Sequence, residues 1–163
     1  MIFFTEAVVL CLAFTAMVSA SLLKNPMNWI SDYPPAIQKR AMELGLVSPD
    51  KKRITPGELK RKVLGSLLAV VLLSLLLVYV NGAKTFLQGF LWSYGLYAVI
   101  AWYDAFVVDI LWFCHSKRVI LPGTEDMVDS YHDYWFHIRM SLLGMVLGLP
   151  ICLLVGLLVR ILA

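Results

Sequence analysis

The feature that most constrains this chain is a set of four apolar stretches, each long enough to cross a lipid bilayer. The hydrocarbon core of a bilayer is about 30 Å thick, and a helix needs roughly 20 apolar residues to span it. The stretches cover residues 1–23, 63–80, 85–114 and 138–162. They predict an all-α polytopic membrane protein, a four-transmembrane-helix bundle that forms a single integral membrane domain over residues 1–163.

The composition agrees with a lipid environment. Hydrophobic residues make up 60% of the chain and charged residues 15%, whereas soluble domains contain about 45–50% and roughly 25%. This balance excludes a water-soluble enzyme and a disulfide-rich secreted domain. The net charge of +3 is too small to indicate a nucleic-acid partner. The predicted partner of the chain is therefore the lipid bilayer.

The distribution of basic residues predicts the orientation of the helices. Twelve of the 14 lysines and arginines lie in or beside the two segments that join the first helix to the second and the third to the fourth. Basic residues concentrate in cytoplasmic loops of membrane proteins. We therefore expect residues 24–61 and 115–137 to be cytoplasmic loops and both termini to lie outside, as in a multi-pass protein of the cell membrane.

The first cytoplasmic loop contains a short amphipathic pattern. After Pro35, the apolar residues Ile37, Ala41 and Leu44 recur at helical spacing, and Gly45 ends the pattern. One interpretation places this helix on the inner leaflet, with its cations near anionic lipid. The alternative is that the basic loop serves only to set the orientation of the chain.

Small residues in the first and last apolar stretches predict close helix packing. Gly144 and Gly148 have the GxxxG spacing, and Gly156 follows on the same face. A second stripe of small residues lies in the first helix and consists of Ala13, Ala16 and Ala20. These two helices are candidate neighbours within one chain, and contact between two copies in a homo-oligomer is the alternative.

Most of the proton-binding and metal-binding side chains lie between residues 102 and 139. This region holds all three histidines and six of the 11 acidic residues. Asp104 is the strongest single candidate, because a carboxylate at membrane depth is rare and is usually functional. His115 is eleven residues further on, about three helical turns, so the two side chains are predicted to share a face. Asp109 is predicted to point elsewhere.

A second acidic and histidine-bearing helix is predicted to follow. The residues around Pro122 and Gly123 form a turn, and Thr124 is a candidate N-cap of a helix that runs unbroken into the last crossing. On that helix Asp133 and His137 are predicted to lie on one face, four residues apart.

These residues give three sets of candidate functional side chains. The predicted catalytic residues are Asp104, His115, Asp133 and His137. The same four together with His132 form the predicted ligand set for a divalent metal, the one candidate cofactor. The predicted substrate-binding residues are Lys117, Arg118 and Asp109. The structural alternative is a solvated helix extension in which Asp133 pairs with His137 and the tyrosine and tryptophan rings form an interfacial belt.

The sequence is compatible with three functions. The first is a small membrane enzyme that acts on a lipid or amphipathic substrate at the cytoplasmic face. The second is a noncatalytic membrane subunit or scaffold whose loops dock a cytoplasmic protein partner. The third is a proton- or cation-coupled transporter or channel in which Asp104 and Asp109 titrate.

Overall fold

A computed structural model of the chain describes residues 2–47 and 55–163. Residues 48–54, which carry part of the positive charge of the first loop, lie outside the described residues. The described part is helical and contains no strand. Its α-helices are α1 (Ile2–Lys24), α2 (Pro35–Glu43), α3 (Pro56–Tyr79), α4 (Phe86–Tyr103), α5 (Val128–Tyr131) and α6 (Tyr134–Leu162). Short 3₁₀ segments cover Pro26–Asp32 and Lys117–Val119, and a π-helix covers Asp104–Phe113.

Among the described residues, four helices are long and apolar enough to span a membrane. The spans are Ile2–Lys24, Leu59–Tyr79, Phe86–Phe113 and Val128–Leu162. They confirm the predicted fold class, an all-α membrane protein consistent with a four-helix bundle. The orientation of the termini stays a prediction.

The chain divides into two compact units. The first unit consists of Met1–Val9, Ile54–Ala101 and Leu143–Ala163. The second unit consists of Leu10–Arg53 and Trp102–Leu142. Each unit has its own group of buried apolar side chains.

In the first unit, glycines allow α4 and α6 to pack closely. The Tyr97 ring of α4 lies against Gly148 of α6, where any Cβ atom would overlap the ring. A Cβ at Gly156 would lie 2.8 Å from the carbonyl oxygen of Phe86, and one at Gly89 would lie 2.8 Å from the Val159 side chain. The predicted glycine face is thus a helix-packing surface, and the helix that it contacts here is α4.

The alanine stripe of α1 was predicted to be a packing surface, and the structure does not show it as one. Ala13, Ala16 and Ala20 are all exposed in the structure. A methyl group contributes little to helix association unless the neighbouring backbone approaches it closely.

In the second unit, helix α2 packs its apolar face on protein. Ile37 and Ala41 are fully buried, in a core that also contains Tyr33 and Tyr131. The interpretation that this face rests on the inner leaflet is therefore wrong for these two residues. Gly45 ends the helix as predicted, with a positive φ of 70° that a glycine adopts without steric strain.

The segment after Thr124 also differs from its prediction. No helix begins at Thr124. Its hydroxyl donates a hydrogen bond to the carbonyl oxygen of Leu121 (2.8 Å) and also contacts the Tyr131 hydroxyl at 2.7 Å. Helix α5 begins only at Val128, and a break at His132 separates it from α6. The threonine side chain satisfies the preceding turn, so it is not free to cap a following helix.

Candidate functional site

The centre of the candidate site is an imidazole–carboxylate pair in the second unit. His137, in the first turn of α6, is 2% exposed, and its Nδ1 lies 3.1 Å from Oδ2 of Asp109 on the π-helix. The rings of Phe113 and Phe136 meet the imidazole edge-on, with centroid distances of 5.5 and 5.2 Å. These contacts fix the plane of the imidazole and direct Nδ1 towards the carboxylate.

The second ring nitrogen of His137 has no partner. Nε2 is buried and makes no hydrogen bond to any group that the structure describes. When Nδ1 carries the proton and faces a carboxylate, Nε2 of the neutral ring holds a free lone pair. A buried polar atom without a partner is costly and is typically found where a ligand, a water or a transferred proton completes the site.

A further carboxylate, that of Asp104, interacts electrostatically with this pair. The charge of Asp104 interacts with those of Asp109, Asp32 and His137. Asp104 and Asp109 are both half-buried on the π-helix, and Asp32 ends the 3₁₀ segment that follows α1. The carboxylate at a direct contact distance from His137 is therefore Asp109, and Asp104 adds an electrostatic interaction.

The π-helix explains why the charges of Asp104 and Asp109 interact. In a π-helix the hydrogen bonds join residues five apart and each turn is wider than in an α-helix, so residues at that spacing lie closer to one face than they would on an α-helix. The backbone N–H of Cys114 accordingly donates to the carbonyl oxygen of Asp109 at 2.9 Å. The expectation that Asp109 points away from Asp104 was based on α-helical geometry, which the chain leaves at this point.

His115 and His132 belong to a different cluster. The two imidazole rings stack with centroids 5.1 Å apart, His115 also stacks on Tyr134, and His132 meets Tyr134 at a tilt. His115 is exposed, and its Nδ1 lies 2.9 Å from the carbonyl oxygen of Ile110. The structure therefore associates Asp104 with Asp109 and His137, and it associates His115 with His132.

The remaining predicted site residues are at the surface. Asp133 is exposed, and its carboxylate accepts a hydrogen bond from the backbone N–H of Phe136 at 3.0 Å, as an N-terminal cap of α6. The carboxylate partner of His137 is thus Asp109, and the predicted pair with Asp133 is not seen. Lys117 and Arg118 are exposed on their short 3₁₀ segment.

The predicted metal ligands do not converge. Within residues 2–47 and 55–163, no three His, Cys, Asp or Glu side chains are arranged so that they could hold a metal ion. Asp104, His115, His132, Asp133 and His137 therefore do not form one ligand set in this structure. Because a protein metal centre usually takes at least three side-chain ligands, the geometry does not support the metal interpretation.

Buried hydrogen bonds hold the elements that surround the pair. The Tyr33 hydroxyl donates to the carbonyl oxygen of Val119 at 2.8 Å, and the backbone N–H of Leu121 donates to the Tyr131 hydroxyl at 2.9 Å. Burial, together with the nearby Tyr131 and Asp32, raises the pKa of Tyr33 above its usual range. Tyr33 is therefore a neutral structural donor at physiological pH.

Cys114, which directly follows the π-helix, is not an activated nucleophile. It is buried, and burial, reinforced by the charges of Asp109 and Asp133, raises its pKa to about 12. A thiol acts as a nucleophile only as the thiolate. The chemistry of this site therefore depends on the imidazole and the carboxylates.

Sequence reasoning did not single out Asp32, an exposed residue whose charge interacts with that of Asp104. Asp32 lies in the first loop, more than 70 residues before Asp104, within a run that contains no recognisable motif. Its neighbours Tyr33 and Pro34 are buried. Their burial shows that this part of the loop folds back onto the protein, which no pattern in the sequence had indicated.

Comparison of the chain with protein-family models, curated proteins and solved structures finds no match. The function of the site must therefore be inferred from its geometry.

Proposed function

We propose that this protein is a small integral-membrane enzyme in which the Asp109–His137 pair serves as a general base on a lipid or amphipathic substrate. The observation that carries the proposal is the buried His137 ring, with Nδ1 at 3.1 Å from a carboxylate and Nε2 unpartnered. A base that is oriented by a second group is the common arrangement of general acid–base catalysis.

In the proposed mechanism, Nε2 takes a proton from a hydroxyl group of the substrate or from a water molecule. The O–H bond breaks, the N–H bond forms, and the oxygen becomes the nucleophile. Asp109 keeps the proton on Nδ1 and stabilises the imidazolium ion, as the carboxylate of a catalytic triad does. Asp104 interacts electrostatically with both members of the pair. The oxygen forms a bond to the electrophilic atom of an ester group in the substrate, the bond from that atom to its leaving oxygen breaks, and the imidazolium gives its proton to that oxygen.

Exposed cations support an anionic, membrane-bound substrate. Lys117 and Arg118 are adjacent and exposed, and each basic residue near an anionic membrane surface contributes about 1 kcal/mol of attraction. The span that carries Asp109 ends at Phe113, four residues before Lys117. This proximity in the chain is the expected arrangement for a substrate with an anionic headgroup, and the positive-inside rule assigns it to the cytoplasmic leaflet.

The test is a comparison of membrane lipids, by mass spectrometry, from cells that carry the wild type or a variant. We expect His137→Gln and Asp109→Asn to cause the same lipid species to accumulate, because removal of a general base typically slows catalysis by about 10²–10⁴-fold. Asp129→Asn is the matched control, since Asp129 is exposed on α5. If both site variants keep wild-type abundance and leave the lipid profile unchanged, the proposal is wrong.

Proton-coupled transport is a second candidate, favoured by one specific observation. Asp104 and Asp109 both lie within the span Phe86–Phe113, and their charges interact. Carboxylates at membrane depth commonly form proton relays. In proteoliposomes with an internal pH-sensitive dye, a transporter would give a proton flux that Asp104→Asn abolishes. A flux equal to that of protein-free vesicles would eliminate this candidate.

A further inference from the structure

A second buried polar group lies in the first unit and includes a carboxylate that the proposed function does not use. Glu6 is in α1, within the span Ile2–Lys24. Its Oε2 accepts two hydrogen bonds, one from the indole Nε1 of Trp92 at 3.0 Å and one from the side-chain Nδ2 of Asn81 at 3.1 Å. Trp92 is on α4, and Asn81 follows the end of α3.

The other oxygen atoms of this group have no partner. Oε1 of Glu6 and Oδ1 of Asn81 are both buried, and neither accepts a hydrogen bond from any described group. Both atoms are acceptors, so they cannot satisfy one another as they stand. A buried carboxylate oxygen without a donor carries a large desolvation cost.

Basic side chains do not supply the missing donor. In the described ranges, the ion pairs are Lys39–Glu43 and His137–Asp109, and neither involves Glu6. The ring of Phe3 packs edge-on against Trp92 at 6.0 Å, which places apolar surface beside the indole. An ionised carboxylate in this setting has two hydrogen bonds on one oxygen and none on the other.

We propose that Glu6 binds a proton and forms a cyclic carboxylic acid–carboxamide pair with Asn81. The proton, taken from water, forms a bond to Oε1, and the resulting hydroxyl donates to Oδ1 of Asn81. Nδ2 of Asn81 already donates to Oε2. One proton thus satisfies both unpartnered oxygens and removes the negative charge from a membrane-spanning helix, where charge is costly.

The asymmetry of the hydrogen bonds identifies the oxygen that carries the proton. Trp92 and Asn81 both donate to Oε2, which is the role of the carbonyl oxygen in a protonated carboxyl group. Oε1 accepts no hydrogen bond, which is the role of the hydroxyl oxygen. The Glu6–Asn81 pair is therefore a proton-binding site that is separate from the Asp109–His137 pair.

Infrared spectroscopy of the full chain in lipid vesicles at neutral pH tests the proposal. We expect the wild type to show a protonated-carboxyl band that is lost in Glu6→Gln. Glu43→Gln is the matched control, because Glu43 is exposed and paired with Lys39 at 3.9 Å; it should leave the band unchanged. An identical band in the wild type and in Glu6→Gln would overturn the proposal, since Glu6 would then be ionised.

Thermal unfolding in detergent gives an independent readout. A glutamine at position 6 presents an N–H donor and a carbonyl acceptor in place of the protonated acid, so Glu6→Gln should unfold at the wild-type temperature. Asn81→Ala should lower the midpoint by about 4 °C or more, because it removes both bonds of the pair. Failure of Glu6→Gln to fold would contradict the proposal.

An alkali cation bound between the two oxygens is the competing explanation. It predicts that the midpoint of the wild type rises when choline chloride is replaced by sodium or potassium chloride at equal ionic strength. It also predicts that Glu6→Gln loses this effect. A cation-dependent midpoint would overturn proton binding, whereas a midpoint that is the same in all three salts supports it.

Discussion

Replacement of Gly148 by alanine should destabilise the packing of α4 against α6. The new Cβ would overlap the Tyr97 ring, which must therefore move. An added methyl group in a well-packed contact costs about 1–3 kcal/mol. Movement of the ring also weakens the hydrogen bond from the Tyr97 hydroxyl to the carbonyl oxygen of Gly144, now 2.9 Å long and worth about 1 kcal/mol. Because alanine is the better helix former by about 1 kcal/mol, we expect a net loss of about 1–3 kcal/mol.

The assay is reversible unfolding in mixed micelles with increasing dodecyl sulfate, followed by circular dichroism. Gly144→Ala is the matched control, because it is one turn away and its Cβ would lie 3.6 Å from the Tyr97 hydroxyl, an ordinary contact. With no overlap to offset the better helix propensity of alanine, it should raise the free energy of unfolding by up to about 1 kcal/mol. Equal stability of Gly144→Ala and Gly148→Ala would refute the packing argument.

Three further predictions concern the second unit. Gly45→Ala should cost about 1–2 kcal/mol in the same unfolding assay, because φ at this residue is 70°; an unchanged midpoint would contradict this. Tyr33→Phe should cost about 1–3 kcal/mol, because it leaves the buried carbonyl oxygen of Val119 without its donor, and a more stable variant would show that this bond contributes nothing. Cys114, with a pKa of about 12, should have only about one thiol in ten thousand ionised at pH 8. Maleimide should therefore label it only after unfolding, and rapid labelling of the folded protein would contradict its burial.

The four spans could be predicted because their signal is local. A run of about 20 apolar residues is compatible with few structures other than a membrane helix, whatever it packs against. The same holds for the end of α2 at Gly45, where a positive φ favours glycine. Such features depend on the chain within one or two turns and on no distant contact.

The environment of each helix face was harder to predict because it depends on distant parts of the chain. The periodicity of Ile37 and Ala41 indicates an apolar face, but lipid and a protein core are equally apolar partners for it. Burial of both residues beside Tyr131 shows which partner is present. Likewise, the spacing of the glycines in α6 predicts a close contact, but it does not say that the contact is with Tyr97 of α4.

The candidate site was only partly predicted, because its geometry depends on a change of helix type. At 100° per residue, Asp104 and Asp109 would be about 140° apart around an α-helix, and the sequence around them contains neither proline nor glycine to mark an irregularity. The wider turn of the π-helix brings residues five apart closer to one face than an α-helix does, and the buried residues Val108 and Phe113 have that spacing too. The same spacing that buries Val108 and Phe113 therefore also brings Asp104 and Asp109 towards one face of the helix. A return of this segment to α-helical geometry would turn Asp104 away from Asp109, so the electrostatic interaction between these two carboxylates depends on the π-helix itself.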